Sequence, residues 1–519
     1  MHRLIPVAMA SVLLLNCDNG AQVRPAAGGA GGGRASTGGA GGSGSGGNGA
    51  GGASNQGGST GSGGSTGSGG ASSVGGSSGA GGGMGTGGSA GSGGATATGG
   101  NHSGGTTGSG GASGNGGATG AGGTTKGSGG SSGSGGSSAS ESNTVQAVVD
   151  QGPQNVGYIN GIFATVTLCI PGTSTCQSID HILVDTGSSG LRVLESAITL
   201  SLPAVKNASG SPLGSCTQFV DGTAWGPILS ADIKINGEVA SALPMQAIGE
   251  NAYPMPTGGA CASGPAITDL QSLMANGIIG VGIYQQDCGT ACTQTSGNPG
   301  IYFACTSNKA GGCKATTVPL DSQVWNPIVK FPVDNNGIVI QLPSVPANGA
   351  ASLTGKLVFG IGTQSNNGLG SATVITPVDD YGNIGTTFPV GGTKYTGFVD
   401  SGTNTYTFLD SATSGLALCT SAGLSGFYCP SSTKNLSATV FGGSNASALV
   451  NFSISNPGRL GGTISALGTL GTEMPGFPSS GTTSVPDFLW GLPFFYGRTV
   501  FTAIEKQDTP GGQGPYVAF

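Results

Sequence analysis

Two short stretches of the chain each present one aspartate in the same local context. Residues 182–189 read ILVDTGSS and residues 397–404 read GFVDSGTN, so an apolar run delivers Asp185 or Asp400, then a hydroxyl residue, then glycine. Two carboxyl groups about 3 Å apart cannot both ionise easily, so such a pair holds one proton and titrates as a unit. The charged partner can activate a water while the protonated partner donates to a substrate oxygen. If the fold brings the two aspartates together, they would therefore act as a paired acid and base in hydrolysis.

The similarity of the two stretches continues further along the chain. Each aspartate is followed by two apolar residues and a glycine at a similar distance, since Gly280 lies 95 residues after Asp185 and Gly491 lies 91 after Asp400. This internal repeat carries more weight than either tripeptide, because one Asp-Thr-Gly alone is typical of an exposed turn. We expect two loops, each braced by an apolar strand. The loop residues are Thr186, Gly187, Ser188, Ser401, Gly402 and Thr403, and the bracing residues are Ile278, Ile279, Gly280, Leu489, Trp490 and Gly491.

Other kinds of site find little support. His181 is the only histidine after residue 142, which argues against a multi-histidine metal site, and no Gly-x-Ser-x-Gly elbow there supports a serine triad. The chain has 16 basic and 22 acidic residues, a net charge of −6 and no cluster of Lys or Arg. We therefore expect no metal, no cofactor and no nucleic-acid partner.

Glycine divides the chain into two regions. Of its 108 glycines, 55 lie in residues 1–140, which leaves 108 − 55 = 53 for the other 379 residues. A segment of Gly, Ser, Ala and Thr lacks the apolar surface that would offset the entropy of ordering it. Residues 18–142 are therefore expected to be a disordered linker, and the rest a folded unit long enough to bury a sizeable core.

An apolar run of about twelve residues, Leu4 to Leu15, follows Arg3. It is too short to span a bilayer but suits the core of a secretory signal peptide. The run ends LLNC at residues 14–17, which resembles a bacterial lipobox. We expect residues 1–17 to be a signal peptide and Cys17 to carry lipid, so that an exported protein is anchored to the bilayer of the cell envelope. The alternative is an ordinary signal peptide that is removed together with Cys17.

Ten further cysteines follow Cys17, an even set typical of disulfide bonds in an exported protein. Short separations favour Cys169–Cys176 and Cys419–Cys429, with Cys216–Cys261 next. The other four allow three pairings, which stay open: Cys288, Cys292, Cys305 and Cys313.

The region after residue 142 has the pattern of a β-protein. Short runs rich in Val, Ile, Thr and Phe recur between Gly, Pro, Asn and Asp, and only residues 267–275 and 411–418 suggest short helices. Many short strands with turn signals predict an all-β sandwich or barrel. Composition and periodicity lead no further.

The paired motifs resemble the pepsin-like aspartic protease family over most of residues 150–519. The stretch KLVFG at 356–360 is similar to the one that opens the second lobe of that family, and residues 491–501 are similar to its closing segment. The resemblance implies a bilobal all-β fold with a cleft between two barrel-like lobes, here residues 143–330 and 331–519. The run VDTGSSGLR at 184–192 is also similar to an uncharacterised family of secreted bacterial proteins.

The resemblance implies roles for further residues. The hydroxyls of Thr186 and Ser401 would hold the two carboxyl groups coplanar. A hairpin flap would cover the cleft, and placing its glycines on Gly222 and Gly226 puts Phe219 where the family usually has tyrosine. Trp225 is a second candidate for the flap aromatic, although packing in the core is an alternative for both aromatics. Arg192 stands where a tryptophan usually follows the first motif.

Two functions follow from these observations. The first is an envelope-tethered, monomeric aspartic endopeptidase that acts on polypeptides through Asp185 and Asp400. The second is a non-catalytic protein of the same fold that binds a peptide ligand or another surface. The presence of both aspartates favours the first. Arg192 and Phe219 favour the second, because phenylalanine can cover a cleft but cannot supply a hydroxyl hydrogen bond.

Overall fold

A computed structural model describes residues 142–249, 252–262, 264–421, 423–459, 463–474 and 487–519. These residues form strands, turns and only two four-residue α-helices, so the predicted all-β class is confirmed. The helices lie within the two segments where the sequence suggested them, at α1 (Leu270–Leu273) and α2 (Ser411–Ser414). The predicted signal peptide, Cys17 and the linker up to residue 141 lie outside the described residues.

The strands of the first half of the described chain run up to residue 315. They are β1 (Thr144–Val149), β2 (Ile162–Cys169), β3 (Cys176–Asp185), β4 (Ser189–Leu194), β5 (Leu213–Phe219), β6 (Gly222–Ile235), β7 (Glu238–Ile248), β8 (Ala266–Ile267), β9 (Gly277–Val281), β10 (Tyr302–Cys305) and β11 (Cys313–Ala315).

The strands of the second half begin at residue 337. They are β12 (Gly337–Gln341), β13 (Leu353–Phe359), β14 (Val374–Ile375), β15 (Ile384–Phe388), β16 (Thr393–Val399), β17 (Tyr406–Phe408), β18 (Lys434–Phe441), β19 (Ser447–Ile454), β20 (Gly471–Thr472), β21 (Phe488–Trp490), β22 (Thr499–Ala503), β23 (Asp508–Thr509), β24 (Gly512–Gln513) and β25 (Tyr516–Ala518). Short 3-10 turns connect them at Pro153–Asn155, Glu195–Ala197, Gly259–Ala262, Gly289–Thr293, Leu320–Ser322, Pro327–Lys330, Pro457–Arg459 and Leu492–Phe494.

Two large sheets organise the described residues. The strands of the first half continue through β1 into β13, β12, β22, β25 and β14 of the second half, so one sheet runs across both halves. A separate seven-stranded sheet in the second half has the order β19-β18-β15-β16-β21-β17-β20. One continuous sheet therefore joins the two halves, and the bilobal arrangement predicted from sequence is confirmed. The exact boundary predicted at residues 330/331 stays a prediction.

The same three-strand unit occurs once in each half. In the first, β9 lies between β3 and β4, parallel to β3 and antiparallel to β4. In the second, β21 lies between β16 and β17 with the same two directions. All five residues of β9 are buried, because the strand is paired on both edges and covered on both faces. Its sequence is therefore a continuous apolar run instead of an alternating one.

The hydrophobic core extends through both halves. The largest buried cluster includes Val184, Ile279, Phe408, Phe488 and Trp490, so the strands of both three-strand units contribute to it. In the second half the aromatic rings pack directly, with Phe488 stacked on Phe408 at 4.9 Å and on Trp490 at 5.1 Å between ring centroids. This packing fixes the ends of the strands from which the two aspartates emerge.

Five disulfides lie in the described part of the chain, which confirms the expectation of a disulfide-bonded protein. Three are the pairs favoured from the sequence, and the remaining four cysteines pair locally. The bridges are Cys169–Cys176, Cys216–Cys261, Cys288–Cys292, Cys305–Cys313 and Cys419–Cys429. No helix in the described ranges is both long enough and apolar enough to cross a membrane.

Asn160 connects the halves from within the core. Its side chain is fully buried, and its amide donates to the carbonyl oxygens of Asn404 and Leu467, each at 2.9 Å. Its Oδ1 accepts from the backbone N–H of Leu467 and from the Tyr496 hydroxyl, each at 2.7 Å. Its φ of 57° lies in the left-handed region, which asparagine tolerates better than most residues. All of these partners belong to the second half.

We predict that Asn160→Ala lowers the free energy of unfolding by about 3 kcal/mol, because it leaves several buried polar groups without partners. Urea denaturation followed by tryptophan fluorescence measures this. Asn236→Ala is the matched control, since Asn236 has a similar φ of 53° and its amide also donates to two carbonyl oxygens, but it is exposed. The control should cost about 1 kcal/mol or less. Equal losses in the two variants would contradict a special role for Asn160.

Candidate functional site

Asp185 is the last residue of β3, and its side chain is fully buried. Its carboxyl group accepts two hydrogen bonds from its own loop. The backbone N–H of Gly187 donates to Oδ1 at 2.8 Å, and the Ser188 hydroxyl donates to Oδ2 at 2.5 Å. Each carboxyl oxygen is thus held by a separate donor, so the plane of the group is fixed.

Asp400 directly follows β16 and is held in the same way. It is fully buried, the N–H of Gly402 donates to Oδ1 at 2.8 Å, and the Thr403 hydroxyl donates to Oδ2 at 2.7 Å. Its own N–H donates to the carbonyl oxygen of Trp490 at 3.0 Å. The two loops therefore present their carboxyl groups with matching donors at matching positions.

The hydroxyl residues after the aspartates tie the two loops to each other. The Thr186 hydroxyl accepts from the N–H of Ser401 at 2.9 Å and donates to the carbonyl oxygen of Val399 at 3.1 Å. In return, the Ser401 hydroxyl accepts from the N–H of Thr186 at 3.1 Å and donates to the carbonyl oxygen of Val184 at 2.7 Å. Each hydroxyl uses its donor and its acceptor, so both are satisfied only when the loops are docked.

Backbone approach brings the carboxyl groups together. A Cβ atom added to Gly187 would lie 2.8 Å from the carboxyl atoms of Asp400, so only glycine fits at this position. The two carboxyl groups are in hydrogen-bond contact, and the pKa of Asp185 is raised well above its ordinary value. The main cause is burial, and the second is the charge of Asp400. The pair can therefore hold one proton between two oxygens, as a paired acid and base requires.

The predicted bracing residues lie beside the two loops. Ile278, Ile279 and Gly280 pair with Leu183, Val184 and Asp185 in the parallel ladder of β9 and β3. Leu489 and Trp490 pair with Phe398 and Val399 in the corresponding ladder of β21 and β16. Gly491 follows directly, and a Cβ atom there would lie 2.1 Å from the carbonyl oxygen of Thr405. The bracing strands thus hold the loop backbones at close range.

The flap candidates lie on the hairpin of β5 and β6. Phe219 pairs with Gly222 at its tip and is 6% exposed, packed in a cluster with Tyr158, Leu183 and Ile278. The hairpin end therefore rests on the strands that carry and brace Asp185. Because Phe219 supplies no hydroxyl, it contributes only apolar contact here.

Trp225 packs away from that cluster. It is 5% exposed, contacts Phe303 edge-on at 5.6 Å, and lies in one cluster with the Cys216–Cys261 bridge. Its ring N–H donates to the carbonyl oxygen of Tyr253 at 2.9 Å. The structure thus places Trp225 in the packing that supports the hairpin.

Tyr158 is a residue near the site that sequence reasoning did not identify. It is 1% exposed, and its hydroxyl has no hydrogen-bond partner within the described ranges. Burial raises its pKa first, and the charges of Asp221, Asp185 and Asp400 raise it further. The hydroxyl therefore lies within electrostatic reach of both aspartates. No motif or spacing marks Tyr158 in the sequence.

Arg192 lies inside the molecule. Its side chain is 1% exposed and forms an ion pair with Asp287 at 3.0 Å. Asp287 also accepts from the Tyr302 hydroxyl at 2.7 Å. Burial raises the pKa of Asp287 to about 6, although Arg192 and Tyr302 act in the opposite direction. Sequence reasoning identified Arg192 as a departure but not its partners, which no spacing rule connects to it.

No group of three or more His, Cys, Asp or Glu side chains suited to a metal ion lies in the part of the chain that the structure describes. The ten cysteines after Cys17 are all engaged in disulfides. The chemistry available from this arrangement is that of the two carboxyl groups and the hydroxyl groups around them.

Comparisons with known proteins identify a family and show similarity to solved structures. The model of the family described as "Protein of unknown function (DUF3443)" matches residues 139–519. None of the curated proteins compared with the chain matches it. Among solved structures, the crystal structure of an aspartic proteinase from Irpex lacteus is similar at 15% sequence identity and a TM-score of 0.40, over 72% of this chain and 96% of that one. The family match includes both aspartates and both bracing strands.

We predict that Asp287 makes the stability of the protein depend on pH. Its pKa rises from 3.8 to about 6 on folding, so the folded state binds its proton more tightly than the unfolded state does. This contribution is fully present below pH 3.8 and is lost as the pH rises through 6, with a total of about 3 kcal/mol. Urea titrations of the wild type and Asp287→Asn between pH 3.5 and 7 measure it, because only the wild type can lose it. A wild type that gains stability relative to the variant over this range would contradict the direction of the shift.

Proposed function

We propose that this protein, which belongs to the DUF3443 family, is an aspartic endopeptidase. The observation that carries the proposal is the pair of buried carboxyl groups, tied together by the reciprocal bonds of Thr186 and Ser401. Burial and the neighbouring charge raise the pKa of Asp185, so the pair retains a proton where an isolated aspartate has lost it. A site with one proton and one charge on two neighbouring carboxyl groups suits acid–base hydrolysis of a peptide bond.

The reaction that we infer needs no covalent intermediate. The charged carboxyl group takes a proton from a water held between the two aspartates, and the resulting nucleophile attacks the carbonyl carbon of the scissile peptide bond. The protonated carboxyl group donates to the carbonyl oxygen as it gains charge. When the C–N bond breaks, the proton taken from the water passes to the leaving nitrogen. The carbonyl re-forms and its oxygen returns a proton to the dyad, so the pair again holds a single proton. Ser188 and Thr403 support the step by donating to Oδ2 of Asp185 and Oδ2 of Asp400, which keeps both carboxyl groups oriented.

The substrate class that we propose is an extended polypeptide. The end of the hairpin of β5 and β6, at Phe219 and Gly222, rests on the strands around Asp185. Because both aspartates are fully buried, a substrate reaches them in this proposal only when the packing around the site shifts. The protein acts as a monomer in this proposal, since each loop of the pair comes from the same chain.

We predict that Asp185→Asn and Asp400→Asn each lower kcat/KM on an unfolded protein substrate by at least about 10³-fold, because either change removes the shared acid–base pair. The assay covers pH 3–7, with and without pepstatin, and product peptides are identified by mass spectrometry. Asp321→Asn is the control, since Asp321 is exposed and lies in the turn Leu320–Ser322. Equal activity of all four proteins would exclude the dyad as the source of hydrolysis.

The stability of the same variants separates a catalytic from a purely binding role. Because the pKa of Asp185 is raised on folding, the wild type loses stability as the pH rises. Asp185→Asn has no proton to lose there, so it should be more stable than the wild type at pH 7 and similar to it at pH 3. If the variant shows this stability difference but the wild type hydrolyses no substrate, the carboxyl groups are buried as described but not catalytic. The function would then be that of the non-catalytic peptide-binding protein. Absence of the stability difference would contradict the raised pKa of Asp185.

We further propose that the endopeptidase is exported and held at the bacterial cell envelope by lipid on Cys17, and that it is related to secreted bacterial proteins sharing the run at 184–192. The support is the apolar run 4–15 and the lipobox-like residues 14–17. Cys17→Ala should move the protein from the membrane fraction to the soluble exported fraction, and it should abolish labelling by a radioactive fatty acid. Unchanged membrane association and labelling would contradict the anchor.

A further inference from the structure

A fully buried arginine lies between the first aspartate loop and the hairpin. Arg192 on β4 is 1% exposed, a degree of burial that arginine reaches only when it is paired. Its Nη1 donates to the carbonyl oxygens of Ser189 and Gly190 at 2.7 and 3.3 Å. These two residues directly follow Ser188, which holds Asp185. One end of the guanidinium group is therefore bonded to the backbone of the Asp185 loop.

The other side of the same group contacts the hairpin. Nε of Arg192 donates to the Thr217 hydroxyl at 3.0 Å, and Thr217 lies on β5, two residues before Phe219. The Thr217 hydroxyl donates in turn to Oε1 of Gln246 at 3.0 Å. The amide of Gln246 donates to the carbonyl oxygens of Ser215 on β5 and Ala224 on β6, at 2.7 and 3.3 Å. The chain of bonds thus reaches both strands of the hairpin.

The counter-ion comes from a fourth segment. Nη2 of Arg192 donates to Asp287 at 3.0 Å, and the Asp287 side chain is only 5% exposed. Tyr302 donates to the other oxygen of Asp287 and accepts from the N–H of Val324, each at 2.7 Å. With its charge neutralised and each of its nitrogens bonded, Arg192 is fixed in place, and a planar fork of this kind holds geometry better than a lysine can.

We propose that Arg192 is a positioning residue that sets the hairpin of β5 and β6 relative to the Asp185 loop, acting through Thr217 and Gln246. Phe219 has no hydroxyl group with which to bond the loop. The polar link between the hairpin and the loop is the bond from Arg192 to Thr217, inside the first half of the molecule. The effect on hydrolysis rests on the proposed endopeptidase function, whereas the effect on the order of the hairpin does not.

The test combines amide hydrogen exchange with steady-state kinetics for two variants. Arg192→Lys keeps a cation beside Asp287 but loses the fork, and Thr217→Val keeps the side-chain shape but loses the hydroxyl. In both, amides of residues 217–224 should exchange about tenfold faster than in the wild type, the change expected from one lost hydrogen bond to a charged group. KM for a polypeptide substrate should rise about tenfold while kcat changes less than threefold, because the acid–base pair is intact.

The controls separate this inference from the proposed function. Arg498→Lys removes a half-buried guanidinium that bonds the carbonyl oxygen of Phe494 in the second half, and it should leave exchange in residues 217–224 unchanged. Wild-type exchange in both Arg192→Lys and Thr217→Val would overturn the inference. If Arg192→Lys fails to fold, Thr217→Val decides alone, because it retains the Arg192–Asp287 pair. A wild type without hydrolytic activity would contradict the endopeptidase and leave the exchange result to decide the role of Arg192.

Discussion

Two carboxyl groups in contact inside a protein cannot both carry a charge, and much of this structure follows from meeting that constraint. An unpaired buried charge costs several kcal/mol, and a second charge of the same sign adds to the cost. One retained proton removes the repulsion. The remaining charge is stabilised by donors from the loops, namely the N–H groups of Gly187 and Gly402 and the hydroxyls of Ser188 and Thr403. The two loops must therefore lie close together, carry matching hydrogen-bond donors and exclude bulk water.

Closeness is the reason for the duplicated architecture. Two loops can approach face to face when each emerges from the end of a strand that is held on both sides, and the three-strand units around β9 and β21 provide this in each half. Small residues then permit the contact, as at Gly187, where any side chain would meet the carboxyl group of Asp400. The reciprocal bonds of Thr186 and Ser401 add specificity, because each hydroxyl is satisfied only by the backbone of the other loop.

The elements that repeat were accessible from the sequence, and the elements that occur once were not. Asp185, Asp400 and their bracing strands could be predicted because the same short pattern is written twice. Three of the disulfides could also be predicted, whereas Cys288–Cys292 and Cys305–Cys313 could not, because sequence spacing does not choose among the three pairings of those four cysteines. Thr217, Gln246 and Asp287 carry no pattern of their own. They come close to Arg192 only in the fold, where the sheet order is β5-β6-β7-β4 and Asp287 lies in the segment after β9. Asn160 and Tyr158 lie in an irregular segment before β2, where periodicity gives no information. Phe219 and Trp225 were identified by position, but the sequence could not decide which way each side chain packs.

The hydrogen bonds between Thr186 and Ser401 join residues 215 positions apart, and this separation has a consequence for when the site forms. Each half can form its own strands and its own loop, yet a half holds a single carboxyl group and so lacks the shared proton. Contacts between such distant residues form late, after the entropy of closing the intervening chain has been overcome. The paired-carboxyl site is thus a property of the assembled molecule, and it forms together with the docking of the halves. A site built in this way is absent from every partly folded form, so any chemistry of the pair waits until the fold is complete.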